Sequence, residues 1–450
     1  MDSHAPTLVP THGAVRSLAH RLLLGAALLA ALVVAACALA ASAQAATYHV
    51  DCTAGNDAAA GTSTSTAWRS LAKANAASLR PGDALRLKSG CTWTGPLKAR
   101  WTGTAAAPIT IGSYGGTTRP RVVNAHENVD ITGSYQVIDS LFTRANPDGY
   151  DSQCANSPYG YKVGFRFRAT AHHNTVQNSE ANDQYIGIFF DNGSNNNKAL
   201  RNSLKNNILR DPNMSSDAGA VGITLMGDYN EVAYNTVSGS STCSRFYSVD
   251  GAAVEVYGGR NNNIHHNTSI DNNAFTELGN NRSAYNTFAY NLVRSGLTKA
   301  NFVVTRGGAD AKYGPVVGTK MYNNSVYLTG SQSYAIQCTK GCNASVLSLR
   351  NNVVWARDRI GYADAGFDEG HNIYWTPGGN VKVWFPMSST SRKIDPRFVN
   401  PGAFDFHLQS TSPAVNKGST VATALGFRTD LDGVAVPQLG TPDIGVFERR

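Results

Sequence analysis

Between residues 172 and 355, short alternating apolar runs are separated by clusters of asparagine, glycine and aspartate. Runs such as Ile186-Gly187-Ile188-Phe189-Phe190, Val221-Gly222-Ile223-Thr224-Leu225, Ala253-Val254-Glu255-Val256-Tyr257 and Asn301-Phe302-Val303-Val304 have the length and period of strands. Turn-rich stretches at 191–197 and 258–263 bound them, and nothing between them has the spacing of an amphipathic helix. One phrase keeps returning, an asparagine opening a β-branched or apolar pair. Asn174, Asn202, Asn235, Asn267, Asn291, Asn323 and Asn352 lead it at intervals of 28, 33, 32, 24, 32 and 29 residues. A period of a few tens of residues signals a stacked repeat. Strands and turns without helices predict an all-β parallel β-helix, a single-stranded solenoid whose coils of three short strands stack about 4.8 Å apart around a shared core. A propeller would need longer, four-stranded blades, and helical solenoids lack the required period here. In such a coil the asparagine is expected to turn the chain in the left-handed αL region, with its amide bonded to the equivalent residue one coil away.

The flanks depart from this pattern. Residues 1–45 carry Arg16, His20 and Arg21, then an apolar run from Leu22 to Ala41, then Ala41-Ser42-Ala43-Gln44-Ala45-Ala46 with small-residue cleavage spacing. They read as a signal peptide, which predicts a secreted, extracellular protein with no membrane association after cleavage. A retained anchor, or a lipoprotein attached at Cys37, are the alternatives. Residues 46–120, with a short helix around 66–75 and a turn at Pro81-Gly82-Asp83, are expected to form the N-terminal cap and first coils. Residues 121–394 form the β-helix repeats, and 395–450 are expected to close the opposite end. The formal charge is +8, or +7 once the leader's Arg16, Arg21 and Asp2 are removed. This basic excess suits an anionic partner but is spread out, with no Lys/Arg run of the nucleic-acid type. After leader removal six cysteines remain, an even number in an exported chain, which suggests disulfides. Locality pairs Cys52 with Cys91, Cys154 with Cys243, and Cys338 with Cys342. A zinc site is disfavoured because no CxxC pair with a matching ligand set is present.

Tyr48-His49-Val50-Asp51, Ala54-Gly55-Asn56-Asp57, Pro81-Gly82-Asp83, Pro108-Ile109-Thr110-Ile111, the asparagine repeats and the closing Asp443-Ile444-Gly445-Val446-Phe447-Glu448 together resemble secreted right-handed parallel β-helix proteins of the pectate-lyase-like superfamily. The resemblance spans nearly all of the chain after residue 45 and implies the right-handed form of the fold. That architecture hosts lyases, hydrolases, epimerases and tailspikes, so the reaction has to be read from a site.

The densest polar stretch is 250–306, with Asp250, Glu255, Glu277, Arg282, Lys299 and Arg306. Glu255 lies between two valines and should face solvent if they face the core. Glu277 follows 22 residues later, about one coil, which places the two carboxyls roughly 5 Å apart. Such a pair can hold calcium against a uronate, with Arg306 or Lys299 binding the sugar carboxylate or acting as base in β-elimination. It can equally serve as the acid and nucleophile of a glycoside hydrolase, or be two solvated carboxylates, one of them bonded to Arg282 or Arg306. Asp250 and Arg282 are assigned to substrate binding. The leading expectation is a monomeric polysaccharide lyase acting on an anionic, uronate-containing polymer. A glycoside hydrolase using Glu255 and Glu277 comes second, and a non-catalytic glycan-binding surface protein third. His172-His173 and His265-His266, just before repeated asparagines, suggest turn or ladder roles, and Asp183, Asp191, Asp217 and Asp228 suggest turn capping.

Overall fold

The computed structural model describes residues 1–2, 44–145, 161–210, 218–244 and 246–450. The expected leader and Cys154 lie outside the described residues, apart from the chain's first two residues and 44–45 at the leader's end. Residues Ala46–Arg450 form one compact unit. Its strands fall into three parallel sheets of twelve, twelve and eleven strands, and successive strands of the chain visit the first, second and third sheet in turn. This is the right-handed parallel β-helix expected. Among the described residues no helix is long and apolar enough to cross a membrane.

The interior follows from the alternation in the strands. Val163–Phe167, Ile186–Phe190, Val221–Leu225, Ala252–Tyr257, Ala274–Gly279 and Asn301–Arg306 all belong to the third sheet, and each turns apolar side chains inward. Residues in register on adjacent coils stack. Phe167 lies on Phe190 at 4.5 Å, and Phe275 lies on Phe302 at 5.8 Å. At the N-terminal end the helix Leu71–Ala76 buries Leu71 and Ala74, with Ser70 accepting the Lys73 N–H as its cap. Trp93 and Trp101 donate their indole N–H groups to Arg69 O and Ala77 O, pinning this cap to the coils. Cys52–Cys91 and Cys338–Cys342 are disulfides, as locality suggested, and Cys243 is also disulfide-bonded.

The asparagines do form ladders, but the expected corner geometry needs two corrections. The αL residue is the one before the ladder asparagine: Arg201, Tyr234, His266, Tyr290, Asn323 and Asn351 have positive φ, ahead of Asn202, Asn235, Asn267, Asn291, Asn324 and Asn352. The turn at the preceding residue swings the next side chain inward, where its amide can span coils. Asn235 N–H and Nδ2 both donate to Asn267 Oδ1 at 2.9 Å, and the same pairing links 267 to 291, 291 to 324 and 324 to 352. Asn174 belongs to a second ladder, at the corner between third and first sheets, with Asn197, Asn230, Asn262 and Asn286. Every member is buried, so these bonds satisfy amides and backbone N–H groups that would otherwise be costly.

The histidines take corner positions. His173 and His266 are αL residues stacked on Tyr135 and Tyr234. The segment 395–450 runs back along the flank between first and second sheets. Ile444, Val446 and Phe447 join Tyr290, Tyr322 and Val353 there, and Val446 N–H donates to Ser325 Oγ. At the far end of the core it is instead Val381, Phe385 and Met387 that pack against the last coils.

Candidate active site on the third sheet

The outward residues of the third sheet form a column set by strand register. Lys98, Asp130, Arg166, Phe189, Thr224, Glu255, Glu277, Val304, Gln337, Tyr362 and Trp384 follow one another, one per coil. Glu255 and Glu277 are direct partners in this column, so their Cα atoms are about 4.8 Å apart. Val254 and Val256 are buried on the opposite side of the strand, and Val256 and Leu278 continue the inward row. The two carboxyls therefore sit side by side on the outer face.

Their surroundings differ. Arg306 Nη2 reaches Glu277 Oε1 at 2.6 Å, a charge-assisted hydrogen bond that fixes the carboxyl in place. Gly279 lies between Tyr257 and Arg306, and a Cβ added there would come 3.5 Å from the tyrosine ring and 3.8 Å from the guanidinium. Among the described residues Glu255 has no such cation in contact. It accepts a long bond from the Thr224 hydroxyl, 3.5 Å. Burial pushes its pKa up to about 8, and the charges of Glu277 and Asp250 add to that, while Arg306 pulls weakly the other way. Burial thus favours the neutral form of one acid, beside a partner that is ion-paired.

A hairpin completes the site. Thr242–Ser244 and Ser248–Asp250 pair antiparallel in the connection that enters strand Ala252–Tyr257. It brings Asp250 into the field of Glu255 and sets Tyr247 where partial burial of its hydroxyl, with the charges of Glu277 and Asp250, raises its pKa. Tyr247 was not singled out in the sequence, because nothing local distinguishes it from any loop tyrosine. Lys299 donates to Ser248 Oγ at 2.7 Å and so joins the hairpin side of the site. Arg282 is placed differently. Its guanidinium pairs with Asp228 at 2.5 Å and donates to Met226 O at 3.0 Å and to Gly258 O, joining the corners of successive coils. A larger cavity, about 410 Å³, lies between Trp355 and the C-terminal segment, but its only carboxylate, Asp395, accepts the Arg397 N–H.

Glu255 and Glu277 are hard-oxygen donors on adjacent coils and Asp250 adds charge nearby, but among the described residues the three do not bring their ligand atoms within reach of one ion. The grouping that does so among the described residues is Asp51 with Cys52 and Cys91, whose sulfurs are joined in a disulfide.

No family model matches the chain. Pectate lyase Pel9A is similar in structure, with a TM-score of 0.58 at 15% identity over 90% of this chain and 96% of that one. The fold is that of the pectate-lyase-like β-helices. The GH136 lacto-N-biosidase from Eubacterium ramulus is also similar, with a TM-score of 0.54 at 15% identity over 78% of this chain and 67% of that one. In sequence, 87 residues are 41% identical to a lacto-N-biosidase of Bifidobacterium longum subsp. longum, covering 18% of this chain but only 5% of that protein.

Proposed function

We propose that this protein is a carbohydrate-active enzyme that hydrolyses glycosidic bonds in a polysaccharide, with Glu255 as general acid and Glu277 as nucleophile. The observation that carries this reading is the pairing, on adjacent coils, of a carboxyl without a cation in contact among the described residues, its pKa raised by burial, with an ion-paired one. A separation of about 5 Å is that of retaining glycosidases, in which the second carboxylate bonds to the sugar. Glu277 attacks the anomeric carbon while Glu255 gives its proton to the departing oxygen. Glu255 then takes a proton from the water that releases the sugar, so the second half returns both groups to their starting states. Arg306 fixes the attacking carboxylate in orientation. Similar proteins carry the names of a biosidase and a pectate lyase, both glycan-active, which supports a glycan substrate here. The Cys52–Cys91 and Cys338–Cys342 disulfides suit an oxidising, extracellular setting.

The substrate we infer is anionic. Lys299 has no carboxylate partner among the described residues, and Arg359 and Lys382 share the single carboxylate of Asp358. Incubation with polyuronates should release new reducing ends with retained anomeric configuration and no unsaturated product. Glu277→Gln should remove that activity while the protein still folds. Appearance of an ultraviolet-absorbing unsaturated sugar as the product would overturn hydrolysis.

One observation favours the elimination reading as the second choice: Lys299, with no carboxylate partner among the described residues, joins the hairpin side of the adjacent acids. Glu255 and Glu277 would hold a calcium ion, which would supply neutralisation of a uronate carboxylate, and Lys299 would serve as the base. Loss of activity with a chelator, together with the unsaturated product, would select that reading.

A further inference from the structure

The column that carries the acids does not end with them. Beyond Glu277 it continues through Val304, Gln337 and Tyr362 to Trp384, each the register partner of the one before. Trp384 sits on the last strand of the eleven-strand sheet, so no further coil covers its ring, and it is 49% exposed. Tyr362, one coil earlier, is 38% exposed. A large aromatic left open on a polar face, in register with another, is a platform for the C–H face of a sugar rather than a core residue.

The intervening surface is concave and carries polar groups. A cavity of about 200 Å³ lies between the acids and the tryptophan, lined by Lys299, Asn301, Tyr334, Gln337 and Arg359. Arg359 is stacked over the Tyr334 ring at 4.7 Å and lies 5.9 Å from the Trp384 ring centre, so guanidinium and rings form one surface. Amide and cationic donors along its floor match the hydroxyls and carboxylates of a uronate chain. Four coils of about 4.8 Å separate Glu277 from Trp384, or about 19 Å, the span of about four pyranose rings.

We propose that this arm of the face is a glycan track that runs along the solenoid axis from the acid pair and ends at Trp384, making the protein selective for chains long enough to reach that ring. The assignment rests on the polyuronate reading above, and it adds that Trp384 and Tyr362 determine chain-length preference.

The test is binding of oligogalacturonates and oligomannuronates of two to eight units to the full-length protein carrying Glu277→Gln, followed by calorimetry or tryptophan fluorescence. Affinity should rise by about tenfold between trimer and hexamer in at least one series and then level off. Trp384→Ala should remove that gain, and Trp384→Phe should keep most of it. Tyr362→Ala, at a separate exposed position, should reduce it too. Equal affinity for trimer and hexamer, or a length dependence untouched by both alanine variants, would overturn the track, as would no binding of either series. These outcomes are separable from failure of the hydrolytic reading. Length-dependent binding without bond cleavage by the unmutated protein would remove the reaction and leave the track, and cleavage without length dependence would do the reverse.

Discussion

The protonation state of Glu255 can be tested apart from any substrate, through stability. Replacing it with glutamine keeps the shape and the neutral charge of the protonated acid but removes its titration. Glu255 titrates near 4.5 when exposed and near 8 in the folded protein, because burial and the charges of Glu277 and Asp250 disfavour its ionised form. Between those pH values the folded state holds a proton that the unfolded state has released, so stability falls as pH rises through that window. Above about 8 both states have lost the proton and the penalty stays constant. At about 1.4 kcal/mol for each tenfold step in acidity, the ceiling is about 5 kcal/mol. Glu255 keeps part of its surface in water, which screens its acidic neighbours, so about 2 kcal/mol is the expected size. With about 2.1 cal/mol/K of unfolding entropy per residue over roughly 400 residues, that corresponds to a difference of about 2 °C. Thermal scans of the unmutated protein and Glu255→Gln across pH 4.5 to 9 should therefore coincide at the acid end. They should separate steadily to about pH 8, with the variant the more stable. Glu448, also raised, to about 7 by burial, is common to both proteins and cancels in the comparison. A constant difference across the range, or a growing advantage of the unmutated protein, would show that Glu255 is ionised in the folded state and would remove its role as an acid.

Activity should fall as pH rises through about 8, as the proton on Glu255 is lost, and a pH profile of kcat/KM whose alkaline limb lies well below 7 would contradict that assignment. Arg306→Met should lower kcat by about a hundredfold or more by freeing the Glu277 carboxylate, with Arg306→Lys recovering part of it, as single-turnover kinetics can measure. Arg282→Met should lower the thermal midpoint and leave substrate affinity unchanged, because its guanidinium joins Asp228 to backbone carbonyls of neighbouring coils. In the ladder, Asn267→Ala should cost about 1–3 kcal/mol by leaving buried donors on Asn235 without their acceptor, read from denaturant midpoints. Asn267→Asp, which keeps an acceptor oxygen, should lose less at low pH than at neutral pH.

Much of this architecture is written in local pattern. Period-two strands without helical spacing, recurrent asparagines and a 22-residue step from Glu255 to Glu277 suffice for a parallel solenoid with two acids in neighbouring positions. They suffice because parallel stacking converts one coil of sequence into one step of about 4.8 Å in space, so an offset along the chain becomes a contact. Tertiary structure decided the rest, because corner loops differ in length and sequence distance alone does not say which corner a residue occupies. That is why Asn174 and Asn202, 28 residues apart, belong to different ladders, and why the left-handed turn falls one residue ahead of each ladder amide. Charge partners obey the same limit. Arg306 reaches Glu277 across 29 residues and Arg282 reaches Asp228 across 54, and only the register of side chains on the folded coils distinguishes the cation that faces the acid pair from the one that clamps a corner. The C-terminal segment shows the largest departure. Its apolar residues are set for burial by their chemistry, but the surface they cover is a flank created only when the first and second sheets meet, a feature with no local signature in the chain.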